Sequence, residues 1–458
     1  MTHIAVIDIG KTNAKLALVD GETLAEIAVV TRPNQTLPGP PWPHFDLEGH
    51  WQFFLAHLAE FHTRHGIDAI SVTTHGAAAV LLDADGGLAA PMLDYEHSGP
   101  DDLRDAYEAV RPDFTETGSP GLPLGLNLGA QLHWLFANQP GLLDRTANIV
   151  TYPQYWGWRL TGELASDMTS LGCHSDLWNP WQGGFSSLVG RLELVGKIAP
   201  ARRSNDVLGH IRPEIAARTG LPPATPVAVG IHDSNASLYP YILGREAPFT
   251  VVSTGTWVVA MAVGGEPVTL DPARDVLVNV NALGQPVPSA RFMGGREYEI
   301  IRAGNEPRPS DTDREAALQS GLMILPAVEP GSGPFAGRDM RWTAQPANEG
   351  QRMAALSWYL ALMTHSCLAL IGSRGPVTVE GPFARNPDFL AMLVTLHPDG
   401  IETAQSATGT SAGAALLCMT HAEAPATIRT PPPANAALLE EYAEKWLSLV
   451  NPNSPASR

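Results

Sequence analysis

The opening of the chain constrains its fold most. Ile4-Ala5-Val6-Ile7-Asp8-Ile9-Gly10 is a β-branched run ending in Asp and Gly, and Leu16-Ala17-Leu18-Val19-Asp20 before Gly21 reads as a second strand. The chain therefore begins with a hairpin. Its connecting segment, Lys11-Thr12-Asn13-Ala14-Lys15, is polar and cationic, whereas a purely structural turn is shorter and richer in Gly or Asn. The second half opens the same way. Phe249-Thr250-Val251-Val252 leads into Ser253-Thr254-Gly255-Thr256 and then Trp257-Val258-Val259-Ala260-Met261, an internal echo without a fixed repeat period. Two such openings predict two α/β halves of similar size divided near residues 238–248, with residues 330–346 as a loop-rich excursion in the second.

Between these openings strands keep ending in polar residues. Ala69-Ile70-Ser71-Val72-Thr73-Thr74 stops at His75-Gly76, Val227-Ala228-Val229-Gly230 precedes Ile231-His232-Asp233, and Val80-Leu81-Leu82-Asp83 predicts a hairpin turning at Asp85-Gly86-Gly87. Helical spacing is clearest over residues 51–65, where Phe54, Leu55, Leu58 and Phe61 recur, and over residues 102–110. Residues 356–371 form the most apolar long stretch, but Ser357, Thr364, His365 and Ser366 interrupt it, which predicts a buried helix and no membrane partner. Residues 451–458 predict a frayed tail.

Charge narrows the partners. Lys and Arg number 29 against 47 Asp and Glu, a formal net charge of −18. Nucleic-acid affinity draws on Lys and Arg neutralising phosphates, so nucleic acid is not an expected partner. An anionic ligand must instead be held by backbone amides, a few cations or a metal ion. Charged residues at 17% and hydrophobic residues at 44% describe a packed chain. Cys173, Cys367 and Cys418 lie far apart without paired spacing, and no basic segment followed by an apolar run opens the chain, so a reduced, cytoplasmic protein is expected. A homodimer is the general prior for a soluble enzyme.

The chemistry concentrates at the strand ends. The segment Gly10-Lys11-Thr12 lacks the preceding glycine of a Walker loop, and no HExxH, Cys-x-x-Cys or Gly-x-Ser-x-Gly pattern occurs. What remains is two turns, residues 8–15 and 253–256, each offering hydroxyls and backbone amides that suit a polyphosphate. Asp8 can hold magnesium through water, and Lys11 or Lys15 can neutralise phosphate oxygens. Asp233 begins a helix, where it serves either as an N-cap or as a base that takes a proton from an attacking hydroxyl. His75 and His232 suit hydrogen bonds to a polyol. Trp156, Trp158, Trp178 and Trp181 suit either a sugar face or a core, with Gln154, His174 and Asp176 as a polar wall.

Asp8-Ile9-Gly10-Lys11-Thr12-Asn13-Ala14-Lys15, Thr74-His75-Gly76, Gly230-Ile231-His232-Asp233 and Ser253-Thr254-Gly255-Thr256 occur in an order that resembles the FGGY carbohydrate kinases, over most of the chain. The resemblance implies an α/β fold of two ribonuclease-H-like (actin-like ATPase) domains flanking a central catalytic cleft. It implies residues 1–242 as the domain of the sugar site and first phosphate loop, 243–440 as the nucleotide domain, and 441–458 as a helix end and tail. ATP and Mg2+ are the implied cofactors and a small sugar the implied partner. Gly10, Lys11, Thr12, Asn13 and Lys15 would form the first phosphate loop, and Ser253, Thr254, Gly255 and Thr256 the second. Asp8 and Asp233 would hold the metal, with Asp233 also the base. His75, Gly76, Tyr95, Glu96 and His232 would meet the sugar.

Val377-Thr378-Val379-Glu380-Gly381-Pro382-Phe383, with Gly381 and Asn386 on the nucleotide, and Ala407-Thr408-Gly409-Thr410-Ser411-Ala412-Gly413-Ala414 look like the family's adenosine region and the helix closing it. Glu380-Gly381-Pro382 replaces a common run of glycines, and Gln131-Leu132-His133-Trp134 matches a Lys-x-x-Trp element only in part. The Gly-x-His-Asp combination looks closest to kinases of L-rhamnulose and L-fuculose, with pentulose or polyol kinases next. The competing expectation is a non-catalytic, nucleotide-dependent regulatory protein on the same superfold, which does not need Asp233 and two nearby histidines.

Overall fold

The computed structural model describes residues 2–305, 307–405, 409–419 and 425–451. The chain divides into two compact units, the first Met1–Gly244, Val278–Pro286 and Thr408–Ala424, the second Arg245–Leu277, Val287–Ala407 and Pro425–Arg458. The contiguous halves expected from sequence differ from this division, because two later segments return to the first unit. Val278 donates its amide to the Gly118 carbonyl at 2.8 Å, and Val280 is buried in the cluster that holds Leu171. The helix Thr410–Ala415 lies against the helix Asp233–Gly244, where a side chain on Gly413 would enter the Ala236 carbonyl. Tertiary packing, which no local pattern reports, decides both returns.

In the first unit β1 (His3–Ile9) pairs antiparallel with β2 (Asn13–Asp20) and parallel with Ala69–Thr74. β3 (Glu26–Pro33) extends the sheet beyond β2. The full order is Val207–His210, Pro226–Ala228, Ala69–Thr74, β1, β2, β3, and Ile231–His232 also pairs with Ala69–Thr74. Helix α1 (Leu47–His65) covers the sheet with Trp51, Phe54, Leu55, Leu58 and Phe61, a spacing that puts them on one face. Each fully buried side chain of this kind contributes roughly 1.5–3 kcal/mol. Asp46 caps the helix by accepting the Gly49 amide.

Two local expectations change. Ala79–Leu82 pairs with the distant Asn148–Thr151, while the expected return near residue 88 is a single Leu82–Leu88 bridge. Residues 102–110 hold only the short helix Arg104–Glu108 after a 3-10 turn at Gly99–Leu103.

The second unit repeats the wiring. Phe249–Thr254 pairs antiparallel with Val258–Val263 and parallel with Val377–Glu380, which pairs parallel with Ile401–Ala404. Pro286–Phe292 extends the antiparallel side, as β3 does in the first unit. The echo read in the two hairpins is thus a shared sheet plan, the ribonuclease-H-like arrangement. The helix Glu349–Leu370 is long and apolar enough to cross a membrane, but it is buried along most of its length in this unit's core. The last helix, Ala436–Val450, is pinned to that core: Tyr442 donates its hydroxyl to the Leu322 carbonyl at 2.7 Å and Trp446 its indole N–H to the Ile324 carbonyl at 2.7 Å. Residues 441–450 therefore belong to a docked helix that buries Tyr442, Ala443, Trp446 and Val450, and the expected tail beyond 451 lies outside the described residues.

Candidate functional site

Sheet register gathers the first unit's candidates. Asp8 on β1 and Ile231 both stand beside Thr73 of the strand between them, and His232 stands beside Thr74. Asp8, His75 and the His232-Asp233 pair therefore meet at the carboxyl ends of three adjacent parallel strands, where open α/β sheets place their ligands. Local devices hold each piece. The Gln154 amide donates to the Val229 carbonyl at 2.9 Å, and the Gln131 amide donates to the Ala77 carbonyl at 2.7 Å, just after His75-Gly76. Thr169 accepts the His232 amide at 2.9 Å while bonding the fully buried Asp167, whose carboxyl burial pushes up. Thr169 carries no sequence motif, and Gln131 stands in the segment that matches the Lys-x-x-Trp element only in part.

His75 is 6% exposed and ringed by Phe45, Tyr95 and Tyr152, with centroids 5.2, 5.3 and 5.2 Å away. Burial holds its pKa down, and the field of Asp233 opposes that only in part. The neutral ring donates Nδ1–H to the Gly76 carbonyl at 2.9 Å, which leaves Nε2 as an acceptor. That atom is buried without a hydrogen-bond partner among the described residues. A hydroxyl donor from a ligand would satisfy it.

His232 Nε2 lies 3.3 Å from Asp233 Oδ1. Burial opposes its charge, yet Cys173 and Asp233 beside it hold the imidazolium well above the usual histidine range. Asp233 starts the helix, but it accepts only from Ser234, through the amide at 2.6 Å and weakly through the hydroxyl. An ordinary N-cap reaches the second or third amide of its helix. The second carboxylate oxygen, Oδ2, has no partner among the described residues, and the side chain keeps 31% exposure. This carboxylate is oriented and keeps one oxygen open to a ligand hydroxyl.

The first turn closes by the Gly10 amide donating to the Asn13 carbonyl at 2.9 Å. Asn34 clamps it twice, with its amide on the Thr12 carbonyl at 2.9 Å and its side chain on the Gly10 carbonyl at 2.8 Å. Behind Asn34 stands the fully buried His50, kept neutral by burial and Arg32, with a pKa lowered to about 4. Arg32 donates to Nδ1, so Nε2–H must donate to Asn34 Oδ1, which fixes the amide's orientation. The Gly10, Thr12 and Asn13 carbonyls of the turn are thus occupied. The amides of Lys11 and Thr12 have no partner among the described residues, and they suit phosphate oxygens.

Asp8 is 8% exposed, and its Oδ2 accepts from Thr410 at 2.6 Å and Ser411 at 3.1 Å and pairs with Lys15 at 3.1 Å. Burial works against the Lys15 charge, but Asp8 and Glu26 raise its pKa. The expected adenosine helix thus corrects to a partner of Asp8 in the first unit, while residues 406–408 lie outside the described residues. Lys11, expected on phosphate, instead has its ammonium on Asp94 and 3.1 Å from Glu96. The tryptophans also correct toward packing: Trp156 and Trp178 are core, and Trp181 donates to the Thr115 carbonyl at the surface. His174 and Asp176 bond Leu126 and the Tyr107–Arg111 pair rather than forming a pocket wall.

In the second unit, Ser253 and Thr254 end the strand Phe249–Thr254, and the Gly255 amide donates to the Trp257 carbonyl at 2.9 Å, the counterpart of the first turn. Thr254 donates its hydroxyl to the Glu380 carbonyl and accepts the Phe383 amide at 3.1 Å, which ties the turn to Gly381. Gly255 and Thr256 line a cavity of about 1120 Å³ with Tyr298, Arg302, Phe383, Arg385 and Asn386. Asn386 caps the helix Pro387–Leu396 and donates to Ser357 at 3.0 Å. The cavity has aromatic walls, cationic side chains and the Gly255-Thr256 turn at one end. It suits a nucleotide.

A twice-used ribonuclease-H-like sheet with a carboxylate beside one turn and a nucleotide-sized cavity beside the other defines a phosphotransferase class of fold. The chain belongs to the FGGY family of carbohydrate kinases. Residues 3–239 match the family's N-terminal domain and residues 246–427 its C-terminal domain. A carbohydrate kinase from Novosphingobium aromaticivorans is 38% identical, with a TM-score of 0.91, covering 97% of this chain and 100% of that one. L-fuculokinase from Salmonella typhi is 26% identical over 276 residues, 57% of each chain, so the chain spans a little over half the length of the curated relatives it matches. The ligand-bound xylulose kinase from Lactobacillus acidophilus, at 14% identity, shares the fold with a TM-score of 0.78 over 99% of this chain and 98% of its own.

Proposed function

We propose that the chain transfers the γ-phosphoryl group of ATP to a hydroxyl of a small ketose, of the class of L-fuculose or L-rhamnulose, with Asp233 as general base. The carrying observation is that the free Asp233 oxygen and the orphaned Nε2 of His75 belong to one cluster at adjacent strand ends. The sugar class rests on the L-fuculokinase relatives and on the Gly-x-His-Asp element. The acceptor hydroxyl donates to Asp233. As its oxygen bonds the γ-phosphorus, the proton passes to the carboxylate, the bridging P–O bond breaks and ADP leaves. His232, held as a cation, orients Asp233 through Oδ1 and cannot itself take the proton. His75 anchors a second hydroxyl, and the free turn amides receive phosphate oxygens.

Magnesium usually binds through one or two carboxylates and keeps several waters, so it needs no full protein cage. Among the described residues no group of three His, Cys, Asp or Glu forms one. Asp8 and Asp233, both hard oxygen donors, fit that requirement, and the ion would supply charge neutralisation on the phosphates. The test is coupled ADP release with ATP and magnesium over a panel of ketoses, aldoses and polyols. Stimulation confined to one sugar class supports the reading. Demonstrable ATP binding with a flat panel would overturn it in favour of nucleotide-dependent regulation.

Two substitutions probe the supports. In Gly76→Ala the new Cβ would stand 2.6 Å from His232 Nε2 and push the ring off Asp233. We expect kcat to fall about tenfold with far-ultraviolet circular dichroism unchanged, the size of one misplaced charge-assisted hydrogen bond. Asn34→Ala removes the clamp on the Gly10 carbonyl. It should raise KM for ATP about tenfold while sparing KM for sugar, read from steady-state kinetics in each substrate.

A further inference from the structure

We infer that the Lys11 side chain belongs to the sugar site and selects uncharged sugars over sugar acids, although Lys11 lies in the first phosphate turn. Its ammonium bonds Asp94, stands 3.1 Å from Glu96, and lies 4.6 Å over the Tyr95 ring and 5.2 Å over the Phe45 ring. Both rings also flank His75. Asp94 keeps only 9% side-chain exposure, and its other oxygen already accepts from Thr36 at 3.0 Å. Burial pushes the Asp94 carboxyl up, and Lys11, with the Glu96 amide and the Thr36 hydroxyl, reverses this and holds it below the usual range. Turning Lys11 toward a phosphate would leave the buried Asp94 carboxylate without its counter-ion, held only by the Thr36 hydroxyl and the Glu96 amide, which is costly. The ammonium therefore stays with the acids, and the turn serves phosphate through its amides.

The resulting charge decides the ligand. Two carboxylates, Asp94 and Glu96, share the one Lys11 ammonium beside the rings that flank His75. Hydroxyls of an uncharged sugar can donate to the acids and accept from the ammonium at once. A sugar carboxylate can only accept, and it meets excess negative charge with Lys11 already occupied.

This inference rests on the sugar-kinase reading only for the ligand being a polyol. Its test combines calorimetric sugar binding without ATP and steady-state kinetics, on neutral ketoses and polyols and the corresponding sugar acids. Lys11→Met should weaken neutral-sugar binding about 10- to 100-fold, the loss of one or two charge-assisted hydrogen bonds, with KM for ATP changed less than about twofold. Lys11→Arg should recover part of the affinity. Glu96 has 59% side-chain exposure, so Glu96→Gln should fold normally and narrow the preference against acids. A raised KM for ATP with unchanged sugar affinity in Lys11→Met would overturn the inference, as would a wild-type protein that binds acids as tightly as neutral sugars. Sugar binding that depends on Lys11 without any ADP release would sink the kinase reading and keep this one.

Discussion

Asp233→Asn is expected to lower kcat by about 10²- to 10⁴-fold, with KM for ATP nearly unchanged. The range is what a positioned general base contributes to proton transfer. Asparagine keeps the shape and an acceptor oxygen toward the Ser234 amide, now 2.6 Å from Asp233 Oδ1, so the helix start survives. It removes the proton acceptor and the anion paired with His232. Asp233→Glu keeps the charge but moves it by one methylene, which at a site demanding hydrogen-bond reach should recover little of the rate. Single-turnover ADP formation measures the loss, and calorimetric ATP binding to the same variant separates chemistry from affinity. A variant with near-normal turnover would remove Asp233 from the base role and leave only its place in the helix start.

Much of this arrangement is legible in the linear chain because strands carry their own signal. β-branched runs ending in Asp8-Ile9-Gly10, Thr74-His75-Gly76, Gly230-Ile231-His232-Asp233 and Ser253-Thr254-Gly255-Thr256 mark both the strand ends and the residues placed there. Parallel pairing brings the first three together, a consequence of register rather than of any one motif. The supports are not legible. Thr410 and Ser411 reach Asp8 across 402 and 403 residues, and Asn34, His50 and Asp94 sit in segments without a pattern. Lys11 shows the limit most clearly. A lysine after Asp-x-Gly suggests phosphate, but its direction is set by Asp94 and two aromatic rings brought in from elsewhere in the unit. The discontinuous units have the same cause, since loop closure over long separations costs little extra once packing favours it.

Gly381→Ala should damage the second unit at its candidate nucleotide cavity. Gly381 follows the strand Val377–Glu380 with φ 83° and ψ −160°, a region populated almost only by glycine. A Cβ there would also enter the Thr254 carbonyl oxygen, which is backbone and cannot rotate away. The chain must turn at this point because Pro382–Arg385 forms a 3-10 turn whose Phe383 amide donates to Thr254 at 3.1 Å. Pro382, Phe383, Arg385 and Asn386, all just beyond, line the cavity. One glycine thus does here what a run of glycines was expected to do, and the change from the family's pattern leaves the close approach intact. Strain and clash together should cost about 2–4 kcal/mol, lowering Tm by several degrees and raising KM for ATP at least about tenfold. Thr254→Ser keeps the hydroxyl bridge and should stay near wild type, whereas Thr254→Val leaves the Phe383 amide without its partner and should move KM for ATP in the same direction as Gly381→Ala. Thermal unfolding and ATP titration of the three variants decide the matter. A Gly381→Ala protein with wild-type Tm and ATP affinity would show that the turn tolerates a side chain, and it would remove the strand-end approach of residues 254 and 381 from the account of nucleotide binding.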